Sequence, residues 1–297
     1  MRVLVTGSLG TLGRPLVAEL RERGYNVWGC DRMHSGEEQF IRADVADFPQ
    51  LELAFHASSP SVVFHLAGQP GVRSFGDAFP LYLRRNVLAS QRVFEAAARD
   101  GARVVLASSS SVYGAAERYP TPEDTRPLPL SPYGITKLAC EQLAAAYARE
   151  FGLDCVVLRY FNAFGPRQRP DMAFTRIAGA LAAGAAFDLY GDGEQSRGWT
   201  YVGDIVDATI LAMAGGSGTY NVGGAVEASL NRAIEVLESI SGRRLEVRRS
   251  ESVPGDQQRT SADTTRIRAE LGWSPRVSLE DGLRAQWEWA STRVAAR

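Results

Sequence analysis

The sequence predicts an α/β fold: a doubly wound parallel sheet followed by a smaller mixed α/β C-terminal domain. Three observations carry that expectation. Near-continuous apolar strand runs alternate with helix-period segments through the first half. A glycine-rich turn closes the first run and opens the first helix. After about residue 161 the segments shorten and become rich in Gly, Pro and Arg, as in "FGPRQRPDM", "YGDGEQSRGW" and "VPGDQQRT".

The elements follow in order. "RVLVT" (2–6) is a buried-strand run, and "TLGRPLVAELRERG" (11–24) carries apolar residues at helical spacing and stops at Gly24. "YNVWGCD" (25–31), "FIRADV" (40–45), "SVVFHLAG" (61–68) and "ARVVLASS" (102–109) read as strands, with a helix over 81–100 before the last of them. A long helix spans 133–152 and a strand 154–160. Residues 1–160 therefore form one domain, to which 200–225 returns through a helix at 202–214; residues 161–297 form mainly the second. The closing helix, 278–292, starts with a capping box, Ser278 with Asp281 three residues on.

Composition is that of an ordinary globular chain: 45% hydrophobic, 23% charged, net charge -1. That balance does not call for a polyanionic partner such as nucleic acid. No window approaches 18 consecutive apolar residues, and the N-terminus lacks a signal-peptide layout, which together predict a cytoplasmic protein off the membrane. The three cysteines, Cys30, Cys140 and Cys155, have apolar neighbours and read as reduced core thiols. His34, His56 and His65 are scattered, and no metal site is expected.

The turn "VLVTGSLGTLG" spaces Gly7, Gly10 and Gly13 as G-x-x-G-x-x-G. Bare backbone there lets a pyrophosphate approach the amides of the following helix, near Leu12. Asp31 ends the second strand, where a carboxylate accepts hydrogen bonds from the adenosine ribose hydroxyls and repels a 2′-phosphate. The cofactor expected is thus NAD, although Arg32 beside Asp31 softens the discrimination against NADP. Asp44 and Val45 follow the short strand and are candidates for the adenine.

One lysine, Lys137, stands among 33 basic residues. It falls four residues after Tyr133 in "SPYGITK", one turn along a helix face. An ammonium beside a phenol favours the phenolate and makes a base usable near neutral pH. Four serines, Ser108 to Ser111, end the preceding strand.

With these pieces in view, the chain resembles the extended short-chain dehydrogenase/reductases, in the nucleotide-sugar epimerase/dehydratase branch. The resemblance covers nearly the whole chain through "TGSLGTLG", "DVAD", "FHLAGQPGVRS", "NVLAS", "SSSSVYG", "SPYGITK", "RYFNAFGPRQRPDM", "YGDGEQSRGWTYVGDIVDA" and "PGDQQRTSAD". It implies a Rossmann-like cofactor domain and a tightly held NAD regenerated at each turnover. It implies Tyr133 as the base for the sugar 4-hydroxyl, Lys137 on the nicotinamide ribose, and Ser109 sharing the 4-hydroxyl proton. Leu66, Ala67, Gly68, Asn86 and Tyr160 are implied at the cofactor. Asn162, Arg197 and Arg259 are implied at the substrate diphosphate, with Arg73 and Arg176 as further candidates and "FDLYG" (187–191) along the base. It also implies a homodimer through the helices near 81–100 and 133–151.

Dehydratases of this branch place Asp-Glu after the catalytic Ser/Thr; this chain has Ser110 and Ser111. A serine hydroxyl performs neither acid nor base step efficiently, so the expected reaction is inversion at C4 of a UDP-hexose through a 4-keto sugar. The alternatives are a 4-ketoreductase, decarboxylase or dehydratase on the same fold, or a non-catalytic sensor. Motif likeness is strongest to UDP-glucuronate 4-epimerases, whereas Asn162 is the residue usual in UDP-glucose/galactose 4-epimerases. Both sugars stay open, with Ser110 and Ser111 as candidate cradles for the C5 substituent. Gly198-Trp199, where Asp-Phe is usual, and a short 31–44 region also depart from the branch pattern.

Overall fold

A computed structural model describes residues 1–71, 75–224, 226–251 and 258–294, without the side chains of 293 and 294. The first half runs β1 (Arg2–Thr6), α1 (Gly13–Glu22), β2 (Asn26–Asp31), β3 (Phe40–Arg42), α2 (Phe48–Ser58) and β4 (Val62–His65). It continues through α3 (Phe79–Tyr82), a π-helical turn (Leu83–Leu88), α4 (Ala89–Asp100), β5 (Arg103–Ser109), α5 (Pro132–Phe151) and β6 (Cys155–Tyr160). The second half holds β7 (Ala163–Phe164), α6 (Ala173–Ala183), β8 (Phe187–Tyr190), β9 (Ser196–Gly198), β10 (Thr200–Tyr201), α7 (Val202–Ala214) and β11 (Gly218–Val222). It ends with β12 (Glu227–Ser229), α8 (Leu230–Ser241), β13 (Val247–Ser250), β14 (Arg259–Thr260), α9 (Thr265–Leu271) and α10 (Leu279–Val294).

Seven strands form one sheet in the order β11-β6-β5-β4-β1-β2-β3, every neighbouring pair parallel. Parallel strands need covering helices on both faces, which explains their unbroken apolar runs. On one face Leu16, Val17 and Leu20 of α1 and Ile205 and Ile210 of α7 pack with Val3, Val5 and Val105. On the other, Leu51 and Phe55 of α2, Val93 and Phe94 of α4 and Ala144 of α5 pack with Leu4, Val63 and Val104. Strand order reverses between β1 and β4, and a crevice at such a switch point is where α/β sheets hold nucleotides.

The strand expected at 40–45 stops at Arg42, because Asp44 turns the chain: its side chain accepts from Ala46 N at 3.0 Å and its carbonyl from Asp47 N at 2.8 Å. The strand expected at 61–68 stops at His65, which frees Leu66 to Gly68 as a loop. The helix expected over 81–100 is interrupted by the π turn carrying Asn86. Residues 218–222 add the edge strand β11 beside β6.

A third core, around Phe174, Ile177, Leu189, Leu237 and Leu283, lies under α6, α8 and α10. Its sheets are small: β12-β9-β14, β13-β8 and β10-β7. The capping box is present, with Ser278 Oγ accepting from Asp281 N at 3.0 Å and donating to Asp281 Oδ2 at 2.7 Å.

Candidate active site

α5 begins with an N-cap and a proline: Ser131 Oγ accepts from Gly134 N at 3.1 Å and Pro132 occupies the first turn. Gly134 is required by contact, since a Cβ there would sit 2.4 Å from Ser111 O. The bare position lets α5 press its first turn, with Tyr133, against the end of β5. Lys137 is 5% exposed, and its Nζ donates to Ala107 O at 2.7 Å and lies 5.9 Å from the Tyr133 ring centre. Ser109 caps the short turn after β5; its Oγ accepts from Ser111 N at 3.2 Å and donates to Ser111 Oγ at 3.1 Å. Ser109, Tyr133 and Lys137 thus converge where β5 meets α5. Ser111 is engaged with Ser109, whereas Ser110 lines a small cavity, about 10 Å³, with Tyr119, Arg259 and Thr260.

Ser108 turns the other way, to a buried ion pair behind the site. Its hydroxyl donates to Glu141, which Arg159 of β6 also engages through Nε at 3.0 Å and Nη2 at 2.6 Å. Both ionic side chains are 7% exposed. Arg159 Nη1 donates to Tyr113 Oη, which donates to Asn221 Oδ1 of β11. Burial alone would lower the Arg159 pKa, but Glu141 and Tyr113 outweigh it and hold the guanidinium charged.

The glycine turn packs on the loop after β4, with no room for a Cβ: one on Gly7 would lie 2.7 Å from Ala67 N, and one on Gly13 2.2 Å from Gly7 O. α1 starts at Leu12 with no side-chain cap and no acid in its first turn, leaving amides for an anion. Asp31 accepts from Leu9 N and Met33 N, each at 3.1 Å, which fixes its carboxylate beside that turn. Gly68 faces Asn86 and Lys137, a Cβ there lying 3.0 Å from Asn86 Oδ1 and 3.5 Å from Lys137 Nζ. Asn86 is buried; its Oδ1 accepts from Gln69 N at 2.7 Å and its Nδ2 donates to Thr136 Oγ1 at 2.9 Å. This cradle fits a dinucleotide: amides for a pyrophosphate, a carboxylate for a ribose, and Lys137 beyond Gly68.

Three of the predicted cofactor residues also have partners within the protein. Asp44 pairs with Arg84 at 2.5 Å, and Val45 packs in the core with Leu4 and Leu51. Tyr160 Oη hydrogen-bonds Thr209 Oγ1 of α7 at 2.8 Å, and burial pushes its pKa up, so its hydroxyl serves the core.

Among the residues expected at the substrate diphosphate, Asn162 takes a left-handed conformation, φ 39°, and donates to Thr260 Oγ1 at 2.8 Å and to Gly198 O at 3.3 Å. Parallel pairing of β9 with β14 sets Arg197 opposite Thr260. These contacts bring Asn162, Arg197 and Arg259 to one place. Arg259 is held by Glu227 in two bonds of 2.7 Å. Arg176 stacks over the Phe187 ring at 5.1 Å, beside the "FDLYG" segment. Arg73 lies outside the described residues. Trp199, one of the departures, packs 4.3 Å from the Phe174 ring and donates to Ala228 O, a structural use.

Sequence reading missed Arg169. It is clamped by Asp171 in two 2.9 Å bonds and lies near enough to Tyr133 and Tyr82 for both to help hold it charged. Its signal was the arginine-rich "GPRQRPD" run. A cleft of about 670 Å³ opens between α1 and α7, lined by Leu9, Arg14, Arg167 and Asp207 among others, and contains none of Ser109, Tyr133 and Lys137.

The chain is 36% identical to a UDP-glucose 4-epimerase of Mycolicibacterium smegmatis over 302 residues, covering 95% of this chain and 96% of that one. It is 41% identical to MoeE5 in a structure with UDP-glucuronic acid and NAD, at TM-score 0.91 with 99% and 100% coverage. MoeE5 has also been solved with UDP-glucose and NAD. The UDP-glucuronic acid 4-epimerase of Bacillus cereus, solved with UDP-glucuronic acid and NAD, is 35% identical at TM-score 0.91, with 99% and 100% coverage. Residues 3–223 match the model of the NAD dependent epimerase/dehydratase family, and the chain belongs to that family.

Proposed function

We propose that the protein is an NAD-dependent UDP-sugar 4-epimerase that inverts C4 of UDP-glucuronate or UDP-glucose/galactose through a 4-keto sugar. The observation that carries this reading is the convergence of Ser109, Tyr133 and Lys137 at a strand end that offers serines, not acids, at the next two positions. Tyr133 takes the proton of the sugar 4-hydroxyl, with Ser109 sharing its hydrogen bond. Lys137, fixed by Ala107 O, supplies the positive charge that favours the phenolate. NAD held in this cradle would supply a reversible hydride acceptor for C4, so no external redox partner would be consumed. Return to the opposite face inverts C4; Ser110 and Ser111 have no carboxyl with which to eliminate the 6-hydroxyl. In this reading residues 1–160 with 200–225 hold NAD, and 161–297 mainly hold the sugar nucleotide, with Asn162, Arg197 and Arg259 at the diphosphate. The same reading makes the protein a cytoplasmic homodimer joined through α4 and α5.

The test incubates the purified protein with UDP-glucuronate and UDP-glucose separately, without added nicotinamide, and resolves the products by NMR. A C4 epimer without net NADH is the expected result. Release of CO2, a stable 4-keto or 6-deoxy product, or a need for stoichiometric NAD(P)H sinks the proposal.

A further inference from the structure

Near the adenosine end of the cofactor cradle, three guanidinium groups gather around Asp44. Arg84 pairs with it. Arg85, the next residue, does not: its Nη1 donates to Gln69 Oε1 at 2.6 Å, and its Nε is buried without a partner. Arg32 makes no ion pair among the described residues; its carbonyl accepts from Arg42 Nε at 3.2 Å. Burial, and then repulsion from Arg32 and Arg84, hold the Arg85 pKa below its ordinary value, with Asp44 acting against them. A guanidinium N–H buried without a partner is unfavourable, and three cations around a single carboxylate leave positive charge for an anion.

The π turn gives this arrangement its aim. Consecutive residues in it both address Gln69: Arg85 binds its side chain, while Asn86 binds its backbone N and O at 2.7 and 3.2 Å. π turns of this kind are frequent at functional sites. Gln69 directly follows Leu66–Gly68, the loop that touches Gly7. Arg85 is therefore tied to the loop that packs on the glycine turn, and Arg32 directly follows Asp31 in the sequence.

We propose that Arg85, oriented by the π turn and by Gln69, contacts the bridging diphosphate of the bound dinucleotide and closes the cradle opposite α1. The proposal rests on the NAD reading above and names the residue that retains the cofactor between turnovers. A guanidinium suits this task through its charge and its forked donors.

The test reads nucleotide retention, not turnover. Dinucleotide released from the protein as purified is quantified, and NAD and NADP are titrated into stripped protein by calorimetry. Arg85→Gln should lower the retained nucleotide and raise Kd for NAD and NADP alike by about tenfold, the scale of one lost charge-assisted contact. Its Kd should also depend less on salt than that of the native protein. Arg85→Lys should recover part of the loss. Gln69→Ala removes only the anchor and should shift Kd in the same direction by less, which keeps the test alive if Arg85→Gln fails to fold. Unchanged retention and Kd in Arg85→Gln overturn the proposal. So does a loss confined to NADP, which reassigns the cation to a ribose 2′-phosphate. A native protein that retains and binds neither nucleotide defeats the NAD reading itself, a different outcome.

Discussion

The two halves of the molecule fix geometry by different means. In the first, seven parallel strands and two packed faces set the site through backbone ladders, with the buried Arg159–Glu141 pair behind it. In the second, strands of two to four residues leave alignment to side chains: Asn162 to Thr260, Arg259 to Glu227, Trp199 to Ala228 O. The cofactor half should therefore break when one buried group is lost. The sugar half should give way gradually, shifting affinity before stability.

The largest effect tests where the chemistry sits. Tyr133→Phe should lower kcat by about 10²–10⁴-fold, the usual worth of a positioned acid–base group, while the protein still carries its nicotinamide nucleotide. Near-native turnover in that variant would remove Tyr133 as the base. Next comes the buried pair behind it. Glu141→Gln leaves Arg159 uncompensated and should cost about 3–5 kcal/mol in urea unfolding, whereas Ser108→Ala should cost about 1 kcal/mol. Equal small losses in both would contradict the contrast between the halves.

A pH experiment probes the same sheet more gently. His65 bridges Thr6 Oγ1 and Ser90 Oγ, and burial, with a smaller push from Lys137, drives its pKa down to about 3. The unfolded chain binds this proton at about pH 6.5, so between those values it holds more protons than the folded one. Stability present above pH 6.5 should fall on acidification towards pH 3, at up to about 1.4 kcal/mol per unit. His65→Gln should flatten that part of a melting profile relative to the native protein; an identical slope would show that burial does not lower the His65 pKa in the fold. The smallest effect belongs to the exposed pair. Glu227→Gln frees Arg259 and removes a negative charge from the diphosphate region, so KM should fall by a factor of a few with the unfolding midpoint unmoved. A drop in midpoint would make that pair structural.

Much of the cofactor half was readable from the chain because its signals are local. Buried parallel strands are continuous apolar runs, and the turn declares itself through glycines that leave no room for a Cβ. Ser131, Pro132 and Gly134 likewise announce the start of α5. The π turn was not readable: an extra residue in a helical repeat leaves the 81–100 pattern intact. Arg169 and Arg85 were hidden for another reason, since their partners, Asp171 and Gln69, become meaningful only once loops are placed against Tyr133 and Gly7. In the second half, two-residue strands fall below any periodicity, and Glu227 gives no sign that it faces Arg259.

The lone buried lysine has a practical consequence. A chain with a single ε-amine has, besides its N-terminal amine, one place where an acylating reagent can attack, and that place is sealed between α5 and Ala107 O. Amine-directed labelling thus becomes a one-site reporter of the cradle: attachment at Lys137 signals an opened groove, and its suppression by added dinucleotide measures closure without any substrate.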